Sequence, residues 1–490
     1  MDQKMTKHGQ QNSKMRRSML LLIPALLLIT SAWSADASNS AVEPRALQTS
    51  SLLDLEMITS WEPSNLDRFD PHTGSLLSPF MIPRVSGTAN NTRVQEFILD
   101  YFSKLNAASL AGEVVDNDHD QPIGRRNTMK NKKDRERIES ANRLYRRAPG
   151  KKGTGWHVEI DRFDDTTPYG TKTFTNLIFT KNPNAENRLV FAAHFDSKYF
   201  PPNVDPANQR PIPGKNNGGE DTLPFVAATD SAVPCAILLD LAASLDRALD
   251  QDGRTDLDTT LQLVFFDGEE AFGDWTHTDS LYGSRSWYSF FMNKQQQQQQ
   301  QRHLADLWAK RTVHRSRTAT GRNGGSTANN LEGIELFVLL DLLGAEGPQV
   351  PSYFGATHWA HRHAMSIEQR LWDARLHGTQ VLEKRKEGRD DHEADEDDMD
   401  DLGSDEPLKG FLTAGAPYGG IDDDHRPFME KGVPILHVIP IPFPHVWHKL
   451  SDNADVIAPE VAEGWANIFR TFTVEYLHLL KPKDRLRDEL

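Results

Sequence analysis

The sequence predicts an α/β fold, a single catalytic domain of buried strands and flanking helices interrupted by polar insertions. Three observations lead there. Short apolar runs recur at 188–195, 261–266, 335–340 and 433–439, each too short for a helix and apolar at successive positions, as a strand covered on both faces must be. Segments with helical spacing of apolar residues lie among them. Acidic residues and histidines stand where the runs stop, and in open α/β sheets ligands bind beyond the carboxyl ends of the strands.

Composition sets limits. The chain has 490 residues, enough to bury a large core, yet only 38% are hydrophobic and the mean hydropathy is -0.59, so polar insertions dilute one globular domain. The net charge is -15, but residues 390–407 alone hold eleven acids and no Lys or Arg, leaving the remainder nearly balanced. No basic stripe points to nucleic acid as a partner. Cys235 is the single cysteine, which excludes an intrachain disulfide.

In chain order, Lys14, Arg16 and Arg17 precede an apolar run at 19–30 and small residues through Ala37, the layout of a secretory signal over 1–37 cleaved between Ser34 and Ser38. An uncleaved anchor is the competing reading, disfavoured because the run is short of the roughly 18–20 residues that span a bilayer. The chain closes on Arg487-Asp488-Glu489-Leu490, one residue type from a luminal retrieval address, so signal and tail together suggest the endoplasmic reticulum lumen and no stable membrane span. Asn90-Asn91-Thr92 is a weak glycosylation signal.

Residues 38–80 read as an extension wrapped loosely on a domain at 81–480. A helix is expected over 92–105, a solvated insertion over about 109–150, paired strands at 156–160 and 174–180, and a long loop at 201–224 rich in Pro, Asn and Gly. Asp230 and Ser231 read as caps of a helix reaching Leu249, in which Cys235 packs as a small apolar residue. Seven glutamines at 295–301 open a low-complexity insertion within about 294–330, a surface helix is expected at 356–376, an acidic insertion at about 380–408 and an amphipathic helix at 456–480.

The residues that could carry chemistry are His194 and Asp196 after one strand, Asp267, Glu269 and Glu270 after the next, Asp341, Asp230 at a helix start, and His448 beyond a Pro-rich turn. Catalytic zinc takes three nitrogen or oxygen ligands and keeps one position open. These residues suffice for one such site and arguably two, and no short metal motif chooses between them. On the residues alone, capping that helix is the better reading of Asp230.

The order of segments then becomes informative. His194-Phe195-Asp196-Ser197-Lys198-Tyr199-Phe200, Ala228-Thr229-Asp230-Ser231-Ala232-Val233-Pro234-Cys235-Ala236, Phe265-Phe266-Asp267-Gly268-Glu269-Glu270-Ala271-Phe272 with Trp275, Asp279-Ser280-Leu281-Tyr282-Gly283-Ser284-Arg285, Leu339-Leu340-Asp341-Leu342-Leu343-Gly344-Ala345, Asp423-Asp424-His425-Arg426-Pro427-Phe428 and Phe443-Pro444-His445-Val446-Trp447-His448 resemble the glutaminyl-peptide cyclotransferases. The resemblance spans roughly Pro83 to Leu480. It implies a zinc-aminopeptidase-like sandwich with a mixed, mostly parallel sheet, and closure of N-terminal glutamine, more slowly glutamate, to pyroglutamate with release of ammonia. It implies one zinc on Asp230, Glu270 and His448, Glu269 as proton shuttle, and Asp341 as its hydrogen-bonded neighbour. Asp423 would bind substrate, Trp275, Phe443 and Trp447 would line the pocket, and His194 and His437 would stand near the metal without binding it. The expected partners are peptides or proteins beginning with Gln, and the chain is expected to be a monomer.

Three departures stand out: Ala193 replaces a cysteine that in secreted relatives bridges to the partner of Cys235, Asp422 replaces an uncharged amide, and the insertions have no counterpart. The runner-up is a two-zinc aminopeptidase using His194, Asp230, Glu270, Asp341 and His448 with Glu269 as base; against it, Trp275 and Trp447 would crowd a second ion. A luminal binding protein without catalysis is the third reading.

Overall fold

The structure, a computed structural model, describes residues 47–61, 66–111, 153–202, 204–205, 210–211, 223–250, 259–285, 312–313, 328–329, 331, 333–378, 410–415 and 420–480. The expected signal at 1–37, the tail with Arg487–Leu490, the acidic run at 380–408 and all but a few residues of the insertions at 109–150 and 294–330 lie outside the described residues.

Six strands form the sheet: β1 (His157–Thr167), β2 (Gly170–Thr180), β3 (Asn187–His194), β4 (Thr259–Phe266), β5 (Ile334–Leu340) and β6 (Ile435–Val438), in spatial order β1-β2-β4-β3-β5-β6. Strands β4, β3, β5 and β6 run parallel, whereas β2 is antiparallel to both β1 and β4. The helices are α1 (Leu52–Ile58), α2 (Ala89–Ala111), α3 (Val233–Leu249), α4 (His358–Asp373), α5 (Arg426–Met429) and α6 (Pro459–Tyr476). This is the mixed, mostly parallel α/β arrangement that the resemblance implied.

The central strands are apolar throughout because both faces are covered. Phe191, Leu263, Phe265, Leu336 and Val338 face the layer of α2, α3 and α6, while Val190, Ala192, Val264, Phe266, Phe337 and Leu339 pack on the other side with Phe428. Register sets where the chemistry falls. His194 lies opposite Phe266, and Leu340 opposite Val438, so the residues that succeed β3, β4 and β5 emerge at one edge.

Four expectations change. Residues 38–80 are expected to wrap loosely, yet Leu55, Met57, Ile58, Phe69, Leu76, Leu77 and Phe80 are buried in the main core. Arg68 makes buried ion pairs with Asp240 at 2.8 Å and Glu463 at 2.7 Å, so the described part of this stretch, residues 47–61 and 66–80, packs into the domain. Strand β1 runs to Thr167, well past 160, because an edge strand needs apolar residues on one face only, and Val158 and Ile160 are exposed. Helix α3 begins at Val233; Asp230 and Ser231 have non-helical backbone angles and cap nothing. Helix α6, expected to be amphipathic, is buried from Glu460 to Tyr476, with Arg470–Asp240 and Glu475–Arg370 pairs matching charges on it.

Within the loop at 201–224, Val204–Asp205 pairs with Arg210–Pro211. Cys235 is a buried packer: its thiol donates to the His194 carbonyl at 3.2 Å, and burial pushes it up to about 12. Among the described residues no helix is long and apolar enough to cross a membrane.

Candidate active site

The turn after β4 delivers the paired carboxylates. Gly268 turns the chain with φ of +80°, and a Cβ there would meet the Phe174 ring at 2.5 Å, so only glycine fits. Asp196, just beyond β3, then accepts the Glu269 and Glu270 backbone N–H groups on its two oxygens, each at 3.2 Å. Asp267, expected at the site with them, is instead a tie between elements. It accepts from Ser86 Oγ at 2.6 Å, Asn91 Nδ2 at 3.0 Å and Thr175 N at 2.9 Å, and burial, with Asp196 adding, raises it to about 7.

Asp230 and His448 arrive from two other segments. Asp452 shapes the approach to Asp230, its carbonyl accepting from Ala228 N at 3.2 Å and its carboxylate from Thr229 N at 2.8 Å. His448 has φ of +54° and stacks on Trp447 with ring centroids 4.0 Å apart. Its Nε2 lies 3.5 Å from Asp230 Oδ2 and 3.3 Å from Glu270 Oε1. Ligand atoms of Asp230, Glu270 and His448 all fall within 4.8 Å of one another.

Asp230 Oδ2 and Glu270 Oε1 are buried and receive no hydrogen bond among the described residues, although buried acceptors are normally satisfied. Lys198 Nζ, 3.3 Å from Glu270 Oε2, occupies that carboxylate's other oxygen. Among the described residues no donor other than His448 itself reaches these two oxygens, and two carboxylates converging with an imidazole fit a divalent cation of the zinc type. Burial works against a charged His448, but Glu270 and Asp230 outweigh it and lift it to about 9.

Beside this trio lies a second group. His194 Nε2 is 3.1 Å from Asp230 Oδ1 and 3.4 Å from Asp341 Oδ1, and the ligand atoms of His194, Asp230 and Asp341 also lie within 4.8 Å. Asp341 accepts from Ser231 Oγ and from Leu342 N at 2.8 Å. Its expected hydrogen bond to Glu269 is not formed among the described residues, where Ser231 and Leu342 take its Oδ1 instead. Burial raises Asp341 to about 6 and Glu269 well above the usual carboxylate range, the latter against His194 and with Glu270 adding.

Asp423 is held by His437 Nε2 at 2.7 Å and by Asp424 N at 2.6 Å. Asp422, expected to alter the grip on substrate, pairs with Arg426 at 2.6 Å on the surface. Phe443 and Trp447 meet edge to face at 4.9 Å, and Trp275, on the loop after Glu270, is 41% exposed.

Sequence reasoning missed several contributors. Asp424 accepts from Ser284 Oγ, and burial keeps its carboxyl well above the ordinary range. His425 packs at 4.4 Å from His437, its charged form suppressed chiefly by burial. Both stand inside a recognised block without any spacing to single them out. Lys198 and Arg84 give no signal either, because buried cations are read as surface charges until their partners are known.

Known proteins point the same way. The model of Peptidase family M28 matches residues 176–398 and 410–473. The glutaminyl-peptide cyclotransferase of Gloydius blomhoffii is 39% identical over 330 residues, 66% of this chain and 72% of the relative. That of Bos taurus is 39% identical over 332 residues, with the same coverage of 66% and 72%. The crystal structure of Macrostomum lignano glutaminyl cyclase superposes with a TM-score of 0.55 at 27% identity, covering 89% of this chain and 94% of that one.

Proposed function

This chain belongs to the glutaminyl-peptide cyclotransferases within Peptidase family M28, and on that footing we propose that it closes the N-terminal glutamine of peptides and proteins to pyroglutamate, releasing ammonia, at one zinc ion held by Asp230, Glu270 and His448. The convergence of those three side chains from distant segments, with two buried carboxylate oxygens that only His448 approaches among the described residues, carries the reading.

Zinc bound there would supply Lewis acidity to the substrate's γ-carbonyl oxygen. The nucleophile is the substrate's own α-amine, so proximity is intramolecular and the protein's residues have only to orient and move protons. Glu269, adjacent to the trio but outside it, takes the proton from the attacking amine and returns it to the departing nitrogen. Its raised pKa suits a group that must both accept and give. Asp341, fixed by Ser231 and Leu342, and Asp423, fixed by His437, face the leaving nitrogen and the substrate's amine. Trp275, Phe443 and Trp447 wall the small side chain from water and so favour ring closure over hydrolysis.

Incubation of purified protein with a Gln-leading peptide, following ammonia and the peptide's mass, tests this; loss of one ammonia without free amino acid is expected. A second reading, a two-metal aminopeptidase, draws on the His194, Asp230 and Asp341 group sharing Asp230. Release of an N-terminal amino acid from an aminoacyl chromogenic substrate would favour it.

A further inference from the structure

We propose that Arg84 is a positioning residue for this metal site, its guanidinium holding the segment that carries Asp230 and the strand end that sets Glu269 and Glu270 in one fixed relation. The inference rests on the metal reading of Asp230, Glu270 and His448.

Arg84 is completely buried. Among the described residues its guanidinium bonds only to backbone carbonyls: Nε to Phe195 at 2.6 Å, Nη1 to Phe80 at 3.1 Å and to Val226, and Nη2 to Ala227 at 2.9 Å. Its own N–H donates to Ser197 Oγ at 2.9 Å. A buried cation without a bonded carboxylate is costly, and its retention calls for a reason.

One arm of the grip ends at Phe195, immediately before Asp196, whose two oxygens carry the Glu269 and Glu270 N–H groups. The other arm ends at Val226 and Ala227, immediately before the Ala228–Ala232 turn that presents Asp230, and Asp452 accepts from Thr229 N within that turn at 2.8 Å. One planar fork therefore joins the two segments that bring carboxylates to the metal. Burial works against its charge, and Asp196, Asp230 and Asp452 lie close enough to offset part of that effect. A lysine has neither the fork nor the reach to hold four carbonyls.

Arg470 is the control: equally buried, it pairs with Asp240 at 2.6 Å, inside the helical layer and away from the site. Zinc affinity by chelator competition, and the visible spectrum of cobalt-substituted protein, would be measured for wild type, R84Q, R84K, S197A and R470K, each below its own melting temperature. R84Q is expected to lose about 10- to 100-fold in zinc affinity and to shift the cobalt bands, while R470K loses thermal stability with affinity unchanged. Where R84Q does not fold, R84K and S197A read the same quantity, and weaker zinc binding in them supports the assignment. Wild-type affinity and spectrum in the Arg84 and Ser197 variants would overturn it. A wild-type chain that takes up no zinc overturns the metal reading itself, and this inference with it.

Discussion

Glu269 and Glu270 are neighbours in sequence, and the turn at Gly268 assigns them different surroundings. Glu270 points an unsatisfied oxygen at His448, while Glu269 stays outside the trio with its proton affinity raised. Glu269→Gln should therefore keep the metal and lose turnover by at least about 100-fold, the usual scale for a proton-transfer group; metal content and ammonia release measured on one preparation check both halves. At Gly268, alanine must take a positive φ and displace the Phe174 ring, at a cost of about 1–3 kcal/mol. Gly268→Ala should show a lower Tm and weaker zinc binding together, since the turn itself carries Glu270. Site residues are legible where they end an apolar run or stand in a recognised block. Asp267 shows the limit of that reasoning: the same run delivers it, yet its oxygens point at Ser86, Asn91 and Thr175. Which way a side chain faces after a turn depends on what packs against it from elsewhere.

Among the elements, the four parallel strands are readable because burial on both faces leaves no polar alternation to confuse the pattern. The stretch from Leu47 to Phe80 is not, because its apolar residues keep no sustained period and find partners far along the chain. Glu475, on α6, shows how that stretch is anchored: it accepts Ser50 N at 2.5 Å and the Arg370 guanidinium at 2.7 and 3.0 Å, and lies 2.8 Å from His363 Nε2. Against the effect of burial, those partners lower its pKa to about 2, from 4.5 for an ordinary glutamate. A depressed carboxylate pKa stabilises the fold fully above the unfolded value and ceases to as pH falls through the folded one. Glu475→Gln should thus cost about 3–5 kcal/mol near neutrality, as loss of one partner of a buried pair does. The gap from wild type should shrink below pH 4.5 and close near pH 2 in denaturant titrations. A gap that stays constant with pH would remove the charge from the explanation.

At the scale of the molecule, the sheet is a device for bringing separated residues to one edge. Parallel β3, β4 and β5 release His194, the Glu269–Glu270 pair and Asp341 side by side, and the Pro-rich turn after β6 returns His448 to meet them. Nothing in local spacing foretells that meeting. The resemblance supplies it from sequence, and the topology explains it. The central claim is that one metal ion sits on Asp230, Glu270 and His448, and zinc content per folded chain, after exhaustive dialysis against a zinc-buffered solution, addresses it most directly. Wild type and His194→Ala should each retain one equivalent and Asp230→Asn close to none. Two equivalents in wild type, or a full equivalent surviving in Asp230→Asn, would contradict the account.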